Sequence, residues 1–492
     1  MYSLGIDLGS SSVKLALFDT SYRNKPVVLR YPESDMIIKS PTSGWAEQNP
    51  DLWWEHVLNG IQKLIQKAGI SASEISSIGI AYQMHGLVLV NKSGEVLRPS
   101  IIWCDSRAVQ SGQDMSLQLH SEIVEHHLLN HPGNFTAAKL SWVKQNEPQI
   151  FEQIHKLMLP GDFIAYKMSH HFSSSYSGMS EGIFWDFRNN QLSQEVMNLL
   201  DISSDKFPEL GGSFDILART DEAFEQLSGI KKGTPISYRA GDQPNNAFAL
   251  GVLQPGEAAG TGGTSGVIYA VSNQVNFDQH SRVNTFAHVN HDTSNPSYGT
   301  LLCINGTGIM YQWIRNNFFP GLNYEDCELL ASGVSSEGIL SLPFGNGVER
   351  ILKNVSPDSC FHGIDFNRHD KRHLLRAGLE GIAFSFVYGL EILRSLGIQI
   401  DKMRVGADNL FQSKIFSQII ADLGDIQIDM YDTTGAVGAA KGSAYGAGLI
   451  QSLEETWSDL QSSYSYTPNS QSDNIKESYN RWLELLNNSI KN

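Results

Sequence analysis

The chain runs to 492 residues, too long for one compact domain; at roughly 150 residues per domain it holds about three domains or two large α/β lobes. Its 41% hydrophobic and 18% charged residues are ordinary for a folded protein with sizeable cores and exclude a disordered chain. With 36 Lys and Arg against 52 Asp and Glu, the formal charge of −16 argues against a nucleic-acid backbone or an anionic membrane as main partner. A small phosphate-bearing ligand stays open, since backbone amides bind phosphate on acidic proteins too.

The opening MYSLGIDLGS has no basic leader and carries Asp7 inside its apolar run, so it reads as a strand of the mature fold rather than a signal peptide. The run breaks at Gly9, Ser10, Ser11 and Ser12 and resumes over 13–18, which predicts a hairpin with a small-residue turn. Asn49 and Pro50 open a helix with Trp53, Val57, Ile61, Leu64 and Ile65 on one stripe, closed by Gly69. Strands are expected at 78–82, 87–91 and 101–104, then a mostly helical, irregular region over 110–235 with a Ser-rich patch at 173–180.

Residues 260–266, GTGGTSG, form a second small-residue turn before an apolar strand at 267–271. The match to the first hairpin points to a duplicated α/β lobe with a cleft between the copies. Lobes at 1–250 and 251–450 are expected, divided near Gln254, Pro255 and Gly256, with a tail at 451–492 ending in a short amphipathic helix. A long helix is predicted over 373–396, stopped by Gly397, and another over 414–423, capped by Ser413. In the segment 435–448, Gly438, Gly442 and Gly446 fall on one helical face. Each interior Gly costs about 1 kcal/mol against Ala, so the bare face has a use.

Cys104, Cys303, Cys327 and Cys360 are far apart with no CxxC pair, which points to a reduced, cytoplasmic protein without a zinc knuckle or disulfide framework. The longest weakly polar stretch, near 381–393, is short of the ~20 residues a membrane span needs.

Four constellations carry chemistry. Asp7 beside the turn of Gly9, Ser10, Ser11 and Ser12 joins backbone N–H groups suited to phosphate with a carboxylate suited to a divalent cation held through water, and Lys14 adds a charge. The turn with Gly262, Gly263, Thr264 and Ser265 is a second phosphate-cradle candidate, not a Walker loop, since no GK[ST] follows. Asp242, after a strand and before Pro244 and Asn245, sits where an open α/β sheet places ligand groups and where a carboxylate can take a proton from an attacking hydroxyl. Gln83, Met84 and His85 follow one strand and Trp103 another, a polar set with an aromatic floor suited to a polyhydroxylated ligand. His288 and His291, an HxxH without a further ligand, read as structural.

In order along the chain, GIDLGSSSVK at 5–14, GWAEQNP at 44–50, QMHGLV at 83–88, WCDSRA at 103–108, AGDQPNNA at 240–247, GTGGTSG at 260–266, LLRAGLEGIAF at 374–384 and GAVGAA at 435–440 together resemble the FGGY family of carbohydrate kinases. QMHG is similar to the xylulokinase subgroup. The resemblance implies two duplicated actin-like, ribonuclease H-like lobes of the actin/hexokinase/Hsp70 superfamily with a cleft between them. It implies transfer of phosphate from Mg-ATP to the 5-hydroxyl of D-xylulose, in pentose (xylose) catabolism.

Asp242 then matches the catalytic base, and Asp7 the carboxylate that organises Mg²⁺ through water. Met84, His85, Trp103 and Gln243 match sugar-binding positions. Gly9, Ser10, Ser11, Ser12, Lys14, Gly262, Gly263, Thr264, Ser265, Gly406, Ala407 and Asn409 match the ATP side, and the glycine-faced helix the nucleotide-side segment. The partners implied are a small sugar and ATP, with no nucleic acid and no membrane; a homodimer is left open.

There are departures. Where the family usually reads GGGA plus a small polar residue, this chain has Val405, Gly406, Ala407, Asp408 and Asn409. Gln243 and Cys104 stand where Asn is common. Rivals are a sister kinase for L-ribulose, L-fuculose or gluconate, a non-catalytic nucleotide or sugar sensor, and an actin-like filament former.

Overall fold

The computed structural model describes residues 1–407, 409–469 and 473–491. The helix opened by Asn49 spans Pro50–Ala68: Asn49 accepts from the Asp51 N–H, Pro50 occupies the first turn, and Gly69 ends it at φ 68°. Only a residue without Cβ takes that left-handed conformation freely.

Two large sheets carry the chain. In the first, Tyr2–Leu8 pairs antiparallel with Val13–Asp19, which pairs antiparallel with Val27–Tyr31. On its other side Tyr2–Leu8 runs parallel to Ile75–Tyr82, which runs parallel to Pro235–Gly241. The second sheet repeats this plan. Gly256–Gly262 pairs antiparallel with Gly266–Ser272, which pairs antiparallel with Tyr298–Ile304, and runs parallel to Ile400–Gly406, itself parallel to Gln427–Tyr431. The expected duplication is therefore present strand for strand, each copy built on a small-residue hairpin.

Each sheet has its own apolar core. Trp53, Val57 and Ile61 pack in the first and Phe384, Phe386 and Trp482 in the second. The edge strand Val283–Ala287 of the second sheet crosses over, so Phe286 and Ala287 join the first core. The region 110–235, expected to be mostly helical, also contributes short strands, and its Ser-rich patch is a buried strand, Ser173–Ser175, followed by the helix Tyr176–Glu181.

The tail adds a strand, Ser462–Tyr466, to the edge of the second sheet by pairing with Gln427–Tyr431. Its helix Asp473–Lys491 is longer than the short one expected and buries Tyr479, Trp482 and Leu486. His288 accepts its structural role: Nδ1 lies 3.1 Å from the Tyr269 hydroxyl and Nε2 3.0 Å from the Val252 carbonyl. Among the described residues no helix is long and apolar enough to cross a membrane.

The glycine-faced helix, Gly435–Gly446, follows the second sheet in sequence but lies on the first. A Cβ on Gly5 would stand 1.9 Å from the Ala436 carbonyl oxygen, and one on Gly79 would stand 2.0 Å from that of Ala439. Gly438 faces Ala249 and Gly442 faces Tyr238. Gly5 and Gly79 of the first sheet thus admit the helix backbone, while the bare face of the helix takes Ala249, the Tyr238 ring and the Ser237 and Phe214 carbonyl oxygens. Gly435, at the start of the helix, reaches the cavity described next, whereas Gly438, Gly442 and Gly446 do not line it.

Candidate functional site

Where the two strand ends carrying Asp7 and Asp242 meet the start of the glycine-faced helix, a cavity of about 350 Å³ opens between the lobes. Asp7 leaves the first strand on the same face as Gly5, since side chains alternate along a strand. A Cβ on Gly435 would stand 2.6 Å from its Oδ2, so the helix start abuts the carboxylate. Asp242 is the first residue of the helix Asp242–Ala249, which Asn245 ties across by donating to the Gly435 carbonyl at 2.9 Å.

The cavity gathers Asp7, Asp242, the turn of Gly9, Ser10, Ser11 and Ser12, Lys14, Trp103, Gly406 and Asn409, all expected from sequence. Gln83, from the set suited to a polyhydroxylated ligand, and Thr261, from the second small-residue turn, also line it, with Asn246, Thr433 and Thr434, to which the sequence assigned no role.

Both carboxylates are half-buried, open on the cavity side only. Burial raises the pKa of Asp7, while Lys14, its cross-strand partner, pulls it down. Burial first, then the charge of Asp7, push Asp242 up to about 7. Two carboxylates that repel across a polar cavity fit a divalent cation: hard oxygen donors, with room for water and phosphate oxygens to complete the shell. Among the described residues no three His, Cys, Asp or Glu side chains converge to cage an ion, so such a cation would rest on one or two carboxylates and on its substrate.

The phosphate-loop candidate is braced from behind. The Gly9 N–H donates to the Ser12 carbonyl at 3.0 Å, closing the turn. Gln48, within the GWAEQNP stretch, donates from Nε2 to the Ser10 carbonyl at 2.6 Å. Its Oε1 accepts from the Trp53 indole at 3.1 Å and from Gln83 Nε2 at 3.2 Å. An indole N–H can only donate, so Trp53 fixes the Gln48 amide, which in turn fixes Gln83 with its amide oxygen left unpaired. Trp103 is 54% exposed and its Nε1 lies 3.4 Å from Ser10 Oγ, so the ring lies at the mouth of the cavity and not in a core.

Met84 is buried beside Gly241. His85 adopts a left-handed backbone at φ 64°, a strained choice for a residue with a side chain. Its ring stacks edge-on to Phe135 at 4.5 Å and tilts against Phe286 at 5.6 Å, while Nδ1 lies 3.0 Å from the Glu181 carbonyl. Burial, then the neighbouring Lys139, hold its pKa well below the ordinary imidazole value, so the ring is neutral. Lys139, fully buried and itself pulled down to about 7, donates to the His85 carbonyl at 2.7 Å.

A second cavity, of about 750 Å³, lies deeper in the second lobe. Gly262, Gly263 and Thr264 line it, together with Gly308, Gln312, Tyr324 and Glu328, on which sequence reasoning was silent. Asn409 lines both cavities and joins them. A Cβ on Gly308 would stand 2.1 Å from the Gly263 carbonyl oxygen, so the helix Gly308–Phe318 starts against the second turn. Glu328 binds the segment after Asn409 with both oxygens, accepting from Ser413 Oγ at 2.7 Å and from the Ile415 N–H at 3.0 Å.

Met84, His85, Gln243, Ser265 and Ala407, all expected at the site, line neither cavity. Gln243 follows Asp242 on its helix, Ser265 sits in the second turn, and the Ala407 N–H is tied to the Tyr431 carbonyl at 3.0 Å. Asp408, part of the VGADN departure, lies outside the described residues.

Comparison with known proteins agrees with this architecture. The profile of the FGGY family of carbohydrate kinases, N-terminal domain, matches residues 2–249, and that of its C-terminal domain matches residues 258–447. A xylulose kinase of Bacillus subtilis is 28% identical over 465 residues, which cover 92% of this chain and 90% of the relative. The crystal structure of a xylulose kinase from Rhodospirillum rubrum has a TM-score of 0.88 at 23% identity, covering 99% of both chains. A gluconate kinase from Lactobacillus acidophilus has the same TM-score, 0.88, at 21% identity over 99% of this chain and 98% of its own. At these identities the structural likeness establishes the two-lobe fold alone.

Proposed function

This chain belongs to the FGGY family of carbohydrate kinases and is an ATP-dependent sugar kinase, and from that premise we propose that it phosphorylates D-xylulose at its 5-hydroxyl. The observation that carries the reading is the meeting of Asp7, Asp242 and the amide-rich turn 9–12 in one cavity between the lobes. The relatives named xylulose kinase supply the sugar, and the QMHG stretch at 83–86 agrees with them.

In this reading the sugar lies against Met84, His85 and Trp103, with its 5-hydroxyl toward Asp242. A pKa near 7 suits a general base, ionised often enough to accept a proton and basic enough to hold it. The sugar oxygen bonds to the γ-phosphorus, the bond from phosphorus to the β–γ bridging oxygen breaks, Asp242 takes the proton and ADP leaves. The turn amides at 9–12 and 262–265 hold phosphate oxygens, and the larger cavity takes adenosine.

Asp7 would hold Mg²⁺ through water, and the ion, when bound, neutralises charge on the transferring group. The neutral His85 ring orients a sugar hydroxyl without adding charge near the base. Closure of the lobes around the glycine-faced helix excludes water, which would otherwise compete as the acceptor.

A coupled ADP-release assay with Mg-ATP and a panel of ketoses, polyols and aldonates, run beside Asp242→Asn, tests the reading. D-xylulose should give the greatest turnover, and the variant should lose it by about 10²–10⁴. Preference for L-ribulose, L-fuculose or gluconate would overturn the sugar assignment alone. Absence of sugar-dependent ADP release from folded protein would overturn the kinase assignment in favour of a sensor.

A further inference from the structure

The reaction as described leaves one buried carboxyl without a use. Glu181 ends the helix Tyr176–Glu181, is 1% exposed, and has no hydrogen-bond partner at Oε1. A Cβ on Gly241 would stand 2.4 Å from Glu181 Oε2 and 2.6 Å from Met84 Cγ. The carboxyl and the thioether therefore share the space left by the missing side chain, one residue before Asp242.

The same residue also governs His85. Its backbone carbonyl can only accept, so the 3.0 Å contact places a proton on His85 Nδ1 and leaves Nε2 as an acceptor. The helix that carries Glu181 is held from the second lobe, since Ser177 Oγ donates to the Ala287 carbonyl at 2.8 Å and the Ala287 N–H donates to Ser180 Oγ at 3.0 Å. Glu181 thus stands buried beside Met84, His85 and Gly241, one residue before Asp242, on a support shared by both lobes.

A buried carboxyl oxygen without a partner is costly, and the cost is relieved when a ligand group pairs with it. Burial, with the charge of Asp242 behind it, holds the pKa of the Glu181 carboxyl well above the ordinary range. The buried Tyr82 hydroxyl lies within hydrogen-bonding reach of the same carboxyl, whose Oε1 is the oxygen left for a ligand. A buried carboxyl oxygen with no partner can accept from a hydroxyl of a neutral polyol. We propose that Glu181 is a specificity-determining residue of the sugar subsite, its carboxyl pairing with a hydroxyl of the acceptor other than the one phosphorylated. This rests on the sugar-kinase reading and names a contact within it.

The test is a cycle between enzyme and substrate. Using the full chain with Mg-ATP, kcat/KM is measured for the sugar that turns over fastest and for analogues lacking one hydroxyl at a time, the phosphorylated one excepted. Wild type, Glu181→Gln and Glu181→Ala are compared. For one analogue the wild type should lose about 10-fold or more, while Glu181→Ala loses nothing further for that analogue, with the KM for ATP unchanged in the variant.

If each missing hydroxyl costs the wild type and both variants the same factor, Glu181 does not touch the sugar and the proposal is overturned. General damage to the fold produces that same pattern of equal factors and is read the same way. Glu181→Gln still offers an amide oxygen and N–H groups and should lose the same factor as the wild type for that analogue, while Glu181→Leu, which can neither donate nor accept, carries the cycle if the alanine variant does not fold. No sugar-dependent ADP release from the wild type would overturn the kinase reading, and this proposal with it.

Discussion

Replacing Asp242 with Asn should cost activity and raise stability, and the gain should depend on pH. The Asp242 carboxyl is lifted from its ordinary 3.8 to about 7. Between those two pH values the folded protein keeps the proton while the unfolded chain has released it. The folded state binds more protons there, so stability falls as pH rises through the window and is level above it. The difference, 7 − 3.8 or about 3 units, corresponds at about 1.36 kcal/mol per unit to a ceiling of about 4 kcal/mol. Asn carries no charge at any of these pH values and escapes the cost.

Thermal melts of both proteins across pH 4 to 8 read this directly. The variant should melt several degrees above the wild type at pH 8, with the gap closing toward pH 4, while turnover falls by about 10²–10⁴. The wild-type kcat/KM should rise with pH through an inflection near 7 as the base ionises. Melting curves that run parallel across the whole range, or a variant less stable at pH 8, would show that burial does not strain the ionised carboxyl. The argument for a base tuned to neutral pH would then fail.

Three further expectations follow from the packing and the braces. Gly79→Ala would place a Cβ 2.0 Å from the Ala439 carbonyl oxygen, a backbone atom that cannot swing aside, and should cost about 3 kcal/mol in denaturant titration; an unchanged midpoint would mean that the helix Gly435–Gly446 does not seat there. Gln48→Ala strands the Trp53 indole and the Gln83 amide, each at about 1–3 kcal/mol, and frees the turn 9–12; calorimetry should show weaker binding of ADP, and an unaltered affinity would refute the brace. Glu328→Ala unties Ser413 and Ile415 and should raise the KM for ATP about 10-fold with the sugar KM unchanged, whereas an equal rise in both would refute a role confined to the nucleotide side.

Some of the molecule is legible residue by residue. Asn49, Pro50 and Gly69 mark the ends of one helix because capping acts within a few residues of the backbone it satisfies. The two hairpins announce themselves because a turn of small residues between apolar runs has few other conformations, and their likeness foretells the duplicated sheets. The glycine stripe at 438, 442 and 446 is equally visible, yet its purpose is not. Periodicity says that a bare face exists, and only the seating of that helix against Ala249 and the Tyr238 ring shows that it serves close packing.

The site divides along the same line. The sequence by itself singled out as candidates Asp7, the turn 9–12, Trp103 and Asp242, all of which line one cavity. It did not determine the Gln48–Gln83 brace, the residues on the helix Gly308–Phe318 that line the larger cavity, or the isolated carboxyl of Glu181. Gln48, Gln312 and Glu181 are ordinary polar residues within their own segments, with no local pattern to set them apart. Their significance comes from partners distant in the chain, brought near by parallel strand pairing and by a helix of one half packed on the sheet of the other. Local sequence fixes turns, caps and the types of groups available. Long-range packing alone decides which of those groups share a dry space and so acquire shifted proton affinity, an unmet hydrogen bond or a ligand.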